Sequence, residues 1–515
     1  MAASTLEPVL GRNGLLNPGT TRFADSSLSS SPLVKTAYHL TLLLVVLLVG
    51  RVPELTVLVA GTSFYQITVL NAILLAFLVI TGMLVKVGST RGGMFWMAFH
   101  LWVVFTIPFS GYRKGSVDAL LGILPIIPSL FFIGGFFPRT IDTLRRGIWA
   151  FAWAGVIGLA FIQKEGVDAI EDRFSAGSGT FGNSNLVAIY LLLMVPIWLY
   201  VARNPRYNWA VRMLFGAFII DSILVVVRTG SRSGFITMII LALILFLTAS
   251  LADKAKLVVV LGLGGFLAIG TMSEAQKSRI GTIFNGEAKD EVTAEAAESA
   301  AQRTALFWES IDVTIRHPIV GSGFGVYSET AAGEKAKKGQ RGLWLVTHNM
   351  YTQVSAETGL VGFAIYMTGM IFGIKAVWAA WRLGSKNREY RELGLLAGAL
   401  LSSWVVFAFN GFFTSMALDF SAYVMNGYSI AFAILTESLL RNRAQQAYSG
   451  ANDSAPRSTR FFPAFPAAAP APASAVSVTG RPVTVPAAAP AIKNADAPWR
   501  RNPRKHPPQP GTPSR

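Results

Sequence analysis

Long apolar segments alternate with polar ones along most of the chain. The apolar runs are about 17–25 residues long, which is the length that an α-helix needs to cross the hydrocarbon core of a bilayer. They lie at residues 34–50, 64–85, 93–109, 117–137, 145–162, 184–202, 210–227, 231–250, 256–272, 349–380, 394–416 and 420–440. The pattern therefore predicts an all-α, polytopic membrane helical bundle of about twelve transmembrane helices.

The polar connections of this predicted bundle differ in charge between its two sides. One side carries at least two basic residues in each short loop or tail: Lys86 and Arg91; Arg139, Arg145 and Arg146; Arg203, Arg206 and Arg212; Lys254 and Lys256; Arg382, Lys386, Arg388 and Arg391; and Arg441 and Arg443. The positive-inside rule makes that side cytoplasmic and places both termini there. The segments 163–183, 228–232 and the long loop 273–348 then face outward.

The two ends of the chain lie outside the bundle. Residues 1–32 are rich in Ser, Gly, Pro and Thr and predict a flexible cytoplasmic N-terminus, followed by an uncleaved anchor helix. Residues 33–443 form the predicted transmembrane domain. Residues 444–515 are rich in Ala and Pro with scattered basic residues, and we expect them to be disordered. This tail either contacts anionic lipid headgroups or has no binding role.

The composition agrees with a membrane protein. The chain has 515 residues, of which 52% are apolar and only 14% are charged, whereas soluble proteins contain about 25% charged residues. Cysteine is absent, which excludes disulfides, a thiolate nucleophile and Cys-based metal sites. The net charge of +17 does not indicate nucleic-acid binding, because the basic residues lie in the inter-helix loops and the tail.

The outward loop 273–348 is the strongest candidate for chemistry. Long polar segments between spans are uncommon and usually functional, and this one holds Arg303 and two of the chain's five histidines. Apolar residues between Thr304 and Ile315 predict a helix that lies on the membrane surface or on the bundle. Pro318 and a cluster of three glycines end that helix.

The two histidines of the loop have different expected roles. His348 lies where the chain re-enters the membrane, and there it could accept a proton from an acceptor hydroxyl near neutral pH. It could equally cap the helix that re-enters the membrane, or anchor the chain at that point. His317 precedes a proline and a glycine turn, which favours a structural role. A metal site formed by both histidines lacks any motif with ligand spacing.

A second candidate is the outward turn Arg228-Thr229-Gly230-Ser231-Arg232-Ser233-Gly234. Gly230 permits a tight reversal, and Ser231 predicts the N-cap of the next helix. A helix N-terminus flanked by Arg228 and Arg232 suits a phosphate or diphosphate. The alternative is a pair of arginines that snorkel from helix ends, although the positive-inside rule disfavours arginine on this side.

Three polar residues within or beside the spans complete the candidates. Asp221 lies well inside an apolar segment, where a carboxylate is costly and needs a partner. It either orients a basic residue or marks a proton or ion pathway. His100, in mid-span, is expected to be a hydrogen-bonded bundle residue. Asn185, with Asn183, ends the 163–183 loop, and either sugar or phosphate contacts or simple capping would explain these amides.

These motifs, taken in order, resemble those of the O-antigen ligase and polymerase superfamily. A Phe-Gly-Asn-Ser-Asn turn precedes one span and Thr-Gly-Ser-Arg-Ser-Gly precedes another. The outward loop then carries Arg-x4-Trp, His-Pro-x2-Gly-x-Gly and His-Asn-x-Tyr before a glycine-rich span. The resemblance covers roughly residues 35–440 and leaves out both tails.

The resemblance implies an integral-membrane glycosyltransferase of the bacterial inner membrane that needs no metal or other cofactor. Such enzymes invert the anomeric centre and transfer a glycan from undecaprenyl diphosphate to an acceptor hydroxyl at the periplasmic face. In ligases the acceptor is a sugar of the lipid A–core. The family's donor-binding arginine corresponds to Arg232, with Arg228 as an additional candidate. Its loop arginine and histidine correspond to Arg303 and His348, and Asn185, Asp221 and His317 are secondary candidates.

Two other activities compete with a ligase of lipopolysaccharide biosynthesis, and a third alternative, a non-catalytic scaffold, would not explain the outward loops. A polysaccharide polymerase of the same superfamily would use the same donor and add the glycan to a second lipid-linked repeat. A secondary transporter of a small anion would use Asp221, Arg228 and Arg232 along its path. Against transport, the sequence lacks a clear pair of matching interrupted helices, and the long loop would have no role.

Overall fold

The computed structural model describes most of residues 31–454. The residues outside the description are 1–30, 61–65, 170–172, 176–178, 250, several between 252 and 271, 286–290, 338, 340–343 and 455–515.

The first half of the described chain is almost wholly helical. Its helices are α1 (Pro32–Val49), α2 (Val52–Ala60), α3 (Gln66–Ile80), α4 (Met83–Gly88), α5 (Arg91–Thr106), α6 (Arg113–Ile123), α7 (Ile127–Phe136) and α8 (Ile141–Glu165). Two short strands, β1 (Val167–Ala169) and β2 (Arg173–Ser175), follow α8.

The second half continues as helices. They are α9 (Ser184–Arg203), α10 (Trp209–Arg228), α11 (Arg232–Thr248), α12 (Glu274–Asn285), α13 (Glu291–Arg316), α14 (Tyr327–Lys337), α15 (Met350–Lys386), α16 (Arg391–Asn410) and α17 (Phe420–Ser454).

The structure confirms a polytopic membrane bundle. Among the described residues, eight helical stretches are long and apolar enough to cross a membrane, and α3 and α11 are shorter apolar helices. The eight are Pro32–Val49, Arg91–Phe109, Arg113–Phe136, Ile141–Glu165, Ser184–Arg203, Trp209–Arg228, Met350–Lys386 and Arg388–Asn410. The predicted span 256–272 lies largely outside the described residues. The count of twelve therefore stays a prediction.

Several predicted borders differ from the observed ones. The segment predicted at 64–85 is divided, because Gly82 has a φ of +67° and starts the short helix α4. The last helix continues to Ser454, past the predicted boundary at 443. Residues 444–447 of this extension are Ala and Gln, which are good helix formers.

The all-α prediction needs one correction in the loop that follows α8. Strands β1 and β2 pair antiparallel, with Val167 opposite Ser175 and Ala169 opposite Arg173. The predicted 163–183 loop is thus closed by a small hairpin. Three-residue strands carry too little alternation to be recognised from sequence.

The core of the bundle is centred on α17. Residues 420–436 of this helix are nearly all buried, although several of them are polar. The polar side chains bond to neighbouring helices: Tyr428 Oη donates to the carbonyl of Gly147 at 2.7 Å, and Trp404 Nε1 donates to Ser429 Oγ at 3.0 Å. Such bonds let a polar helix occupy the centre of a bundle whose outer face is apolar.

Helix α15 is bent near its start, and the glycine-rich motif after α13 wraps around the bend. Gly359 has φ +72° and ψ 177°, a conformation that is essentially restricted to glycine. The interruption frees backbone groups, which the motif satisfies: the N–H of Ser322 donates to the carbonyl of Ala356 at 2.8 Å, and that of Leu360 donates to the carbonyl of Pro318 at 2.8 Å. The motif therefore fixes the direction of residues 350–358.

Substitution of Gly359 by alanine is expected to destabilise the protein by about 1–3 kcal/mol, the usual strain of such a backbone conformation. A Cβ at this position would lie 2.1 Å from the carbonyl oxygen of Ile319. The midpoint of thermal unfolding in detergent should fall accordingly. Gly333→Ala on α14 is the matched control, because a Cβ there meets nothing within 4 Å. Equal midpoints for the two variants would contradict the role of the bend.

Candidate active site

The turn between α10 and α11 has the predicted local structure. Gly230 has a φ of +59°, which allows the tight reversal. Ser231 is the N-cap of α11, and its side chain accepts the N–H of Gly234 at 3.2 Å. Arg232 is the first residue of the helix, so its guanidinium lies at the positive end of the helix dipole. We call residues 228–234 the arginine turn.

Asn185, on the neighbouring helix α9, contacts the arginine turn. The hydroxyl of Ser231 donates to Asn185 Oδ1 at 2.7 Å. Asn183 has the other role considered for these amides, because its side chain accepts the N–H of Asn185 and caps α9. The sequence left capping and ligand contact open for both residues. The structure assigns capping to Asn183 and places Asn185 against the arginine turn.

Arg228 is held by two residues that sequence reasoning missed. Its guanidinium carbon lies 4.5 Å from the ring centroid of Phe174, the buried middle residue of strand β2. Gln276, on α12, donates from Nε2 to the Arg228 carbonyl at 3.1 Å. The hairpin after α8 and the start of the long loop therefore both pack on the arginine turn. No sequence pattern indicated a role for Phe174 or Gln276.

His348 lies in a strained and well-anchored turn. Its φ is +49°, which is uncommon for a residue other than glycine. On one side, Thr347 Oγ1 and Ser415 Oγ are 2.9 Å apart. On the other, Asn349 caps α15 and donates from Nδ2 to the carbonyl of Phe412 at 3.2 Å. The turn after α16 thus holds the histidine in place, which the sequence did not indicate.

Arg303 lies close enough to His348 to affect its titration. The imidazole is partly buried, and burial lowers its pKa below the usual 6.5; the positive charge of Arg303 lowers the pKa further. Both effects favour the neutral imidazole at pH 7, which is the form that can accept a proton. Arg303 and His348 are 45 positions apart in the sequence but lie within electrostatic range of each other in the fold.

The arginine turn and His348 are at the same end of the bundle. Thr237, on α11, accepts a hydrogen bond from Asn410 Nδ2 at 2.9 Å, at the end of α16. The next residue, Gly411, accepts the N–H of Met350 at 2.6 Å, two residues after the histidine. Helix α13, which carries Arg303, packs on both α12 and α15. Direct contacts between neighbouring helices therefore connect the arginine turn, the helix that carries Arg303 and the turn that holds His348.

His317 contacts residues that stabilise the loop, in agreement with the structural role that its sequence context favoured. Its Nε2 lies 3.1 Å from Glu334 Oε1, and Arg316 forms ion pairs with Glu334 and with Asp312. These contacts fasten α14 to the end of α13. Burial lowers the pKa of His317, and the neighbouring Arg316 adds to the effect.

The two polar residues predicted inside spans have partners within the bundle. Asp221 Oδ1 accepts a hydrogen bond from Gln163 Nε2 at 2.7 Å, so the partner that the structure gives it is an amide and not the basic residue considered from sequence. His100 Nδ1 lies 2.7 Å from the carbonyl oxygen of Trp96. This bond agrees with the predicted role of His100 as a bundle residue.

A further arginine at this end was not singled out by the sequence. Arg51, directly after α1, has a φ of +55° and lies over the ring of Phe420 at 5.2 Å. It also forms an ion pair with Glu54. The positive-inside rule disfavours arginine on the predicted outward side, and that was the signal that could have drawn attention to it.

Comparison with known protein families identifies the segment that contains these groups. Residues 216–367 match the O-antigen ligase family model. The matched segment includes the arginine turn, Arg303, His317 and His348, and it confirms the resemblance inferred from the motifs. It indicates a membrane enzyme of the O-antigen ligase or polymerase type, which transfers glycans. A search of curated proteins found no match.

The O-antigen ligase segment does not contain every residue of the site. Asn185 and Phe174 precede it, and Ser415 follows it, yet each contacts a residue inside it. The site is therefore assembled from three separate parts of the chain.

Proposed function

We propose that this protein is an O-antigen or surface-polysaccharide ligase of the bacterial inner membrane. It transfers a glycan from undecaprenyl diphosphate to a hydroxyl of a lipid A–core sugar. Both termini are cytoplasmic, and the site lies at the periplasmic face. The observation that carries the proposal is the position of the partly buried His348 within electrostatic range of the cation Arg303, at the bundle end that also holds the arginine turn.

The arginine turn is the proposed site for the donor diphosphate. The first turn of a helix leaves backbone N–H groups that point toward an anion, and the dipole adds positive potential. Arg232 stands on that turn, and Arg228 precedes it by four residues. Asn185 and Phe174 contact the turn at Ser231 and Arg228, respectively. Guanidiniums bind phosphate oxygens in a bidentate manner.

The proposed reaction is a single displacement. The acceptor oxygen forms a bond to the anomeric carbon while the bond from that carbon to the diphosphate oxygen breaks. The hydroxyl proton passes to the imidazole of His348, and the electron pair of the broken bond stays on the diphosphate. Attack opposite the leaving group inverts the anomeric centre. Because a diphosphate is already a good leaving group, fixed arginines need only neutralise its developing charge.

The acceptor distinguishes a ligase from its competitors. Purified protein in vesicles would receive a lipid-linked glycan donor, either alone or with lipid A–core. Glycan on the lipid A–core only when both are present supports the ligase. Elongation of the donor on its own lipid carrier, without lipid A–core, would replace this proposal with a polymerase. Anion flux into the vesicles without either product would favour a transporter.

The pH dependence of transfer tests the proposed role of His348. Its pKa is lowered by burial and by Arg303, so the imidazole stays neutral until the pH falls below the usual value of about 6.5. Initial rates measured over about pH 5–8 should be flat at the upper end and decline on the acid side of 6.5. A decline centred above 6.5 would contradict the role.

Two variants of Arg303 separate the effect of its positive charge from the effect of its side-chain shape. Arg303→Lys keeps the positive charge, so residual activity should decline over the same acid range. Arg303→Gln removes the charge that lowers the pKa, so the decline should move to higher pH. Identical profiles for the two variants would show that Arg303 does not act on His348 electrostatically.

A further inference from the structure

A large apolar cavity lies away from the candidate active site. It has a volume of about 970 Å³ and is lined by α9, α10, α11, α15 and α16, together with Leu257. Its wall includes Leu192, Ile223, Leu241 and Leu245, with small residues such as Ala242 and Ser402 leaving the space open. The active-site residues Asn185, Arg228, Arg232 and His348 are not part of this wall.

The cavity extends over about half the thickness of a membrane. Along α9 its wall runs from Leu192 to the end of the helix at Arg203, which is roughly 16 Å at 1.5 Å per residue. The hydrocarbon core of a bilayer is about 30 Å thick. The cavity therefore has the depth of one leaflet, the leaflet at the end of the bundle opposite Arg232.

The end of the cavity that reaches this membrane surface is basic. Arg203 ends α9, Arg212 lies in the first turn of α10, and Arg391 begins α16, and all three line the cavity. Arg212 is oriented by a hydrogen bond from Nε to the carbonyl of Ala202 at 3.0 Å. Trp381, on α15, lines the same region. Arginine and tryptophan are the residues that proteins place at headgroup level.

Two of the described carboxylates lie close to Arg391 in the sequence: Glu389, which is exposed, and Glu392, which is already engaged. Glu392 accepts hydrogen bonds from Tyr200 and, at 3.2 Å, from Asn204 Nδ2. Arg206 Nε lies 3.8 Å from its other oxygen. The negative charge of Glu392 is thus offset locally, and the three arginines that line the cavity give its mouth a positive charge.

We propose that this cavity binds an anionic glycerophospholipid from the adjacent leaflet. An acyl chain fills the apolar interior, and the phosphate lies among Arg203, Arg212 and Arg391. The depth of the cavity, which equals one leaflet, and the positive charge at its mouth both support an anionic phospholipid as the bound molecule. The isoprenoid chain of a donor held at Arg232 would instead have to reach the cavity from the opposite membrane surface. The proposal is independent of the proposed ligase activity.

Photo-crosslinking of the full chain in vesicles tests the proposal. The vesicles contain phosphatidylcholine and a small fraction of phosphatidylglycerol with a diazirine in its acyl chain, and the labelled residues are mapped after digestion. We expect labelling of Ala242 and Leu245, which line the cavity, over Leu243 and Leu247, which are exposed on the same helix. Unlabelled phosphatidylglycerol should displace the label, and phosphatidylcholine should not.

Two variants make the test more specific. In each of them, labelling of the exposed Leu243 shows that the protein is folded and inserted in the membrane. Arg203→Glu combined with Arg391→Glu should lower cavity labelling at least tenfold, since each basic residue near an anionic headgroup contributes about a factor of five. The matched control Arg388→Glu, an exposed arginine that does not line the cavity, should leave it unchanged. Ala242→Trp should block labelling of Leu245.

Three results would overturn the proposal. Absence of label at the cavity-lining positions, with label retained at the exposed Leu243 and Leu247, would mean that the cavity holds no lipid. Displacement by phosphatidylcholine as readily as by phosphatidylglycerol would mean that the arginines do not select an anionic headgroup. Displacement by an undecaprenyl diphosphate but not by phosphatidylglycerol would assign the cavity to the donor lipid.

Discussion

Arg232→Ala is expected to lower the rate of glycan transfer by about 10²–10³-fold, the usual effect of removing one group that stabilises a developing negative charge. The residue starts α11 beside the N-cap Ser231, so its guanidinium adds to the positive helix end. Its loss leaves the charge of the departing diphosphate partly uncompensated. Steady-state transfer in detergent measures the effect.

The variant should remain folded, because Arg232 is partly exposed and its helix keeps the Ser231 cap. Arg232→Lys should recover only part of the rate if the contact is bidentate, since an ammonium cannot form the paired hydrogen bonds of a guanidinium. Arg388→Ala, at the other end of the bundle, is the control for loss of a positive charge. An Arg232→Ala enzyme as active as this control would exclude Arg232 from the donor site.

His348→Asn is expected to lower the transfer rate by about 10²–10⁴-fold, the contribution typical of a general base. Asparagine is chosen because it tolerates the left-handed backbone better than most residues, and His348 has a φ of +49°. The substitution therefore preserves the turn while removing a side chain that can accept a proton. Single-turnover rates with bound donor isolate the chemical step.

His348→Ala is the companion variant, since it removes the base and also strains the turn. Equal transfer rates for the asparagine and alanine variants, with unchanged binding of the donor, would attribute the loss to chemistry. A His348→Asn enzyme with the wild-type rate would show that the histidine only shapes the turn between Thr347 and Asn349. The pH profile of the wild type provides an independent check on the same role.

Local features of this protein could be predicted from sequence because they depend on near neighbours. Apolar runs of membrane length predicted most of the spanning helices. Gly230 and Ser231 predicted the reversal and the N-cap of α11, since each acts on residues within one turn. The break after α13 at Pro318 and the glycine cluster was predicted for the same reason.

Contacts between distant parts of the chain could not be predicted in this way. The bond between Ser231 and Asn185 joins the starts of two different helices. The packing of Arg228 on Phe174 depends on a hairpin whose two strands have only three residues each. The bend at Gly359 was also missed. A single glycine in an apolar run is common, and only the motif that wraps around it shows that the helix is interrupted.

Asp221 illustrates a different limit. Its position inside an apolar segment correctly indicated that it needs a partner. A sequence does not show which neighbouring helix supplies that partner, and Gln163, on α8, was not considered. The same uncertainty left the roles of Asn183 and Asn185 open until the structure placed one at a helix cap and the other against the arginine turn.

The most direct test of the central claim is site-dependent glycan transfer by the purified protein. Wild-type protein in detergent would be mixed with a lipid-linked glycan donor and lipid A–core, in the presence of a chelator and without nucleotide. We predict glycan on the lipid A–core with the wild type and its near-complete loss with both Arg232→Ala and His348→Asn. Absence of transfer by the wild type, or transfer by the two variants at the wild-type rate, would contradict this account.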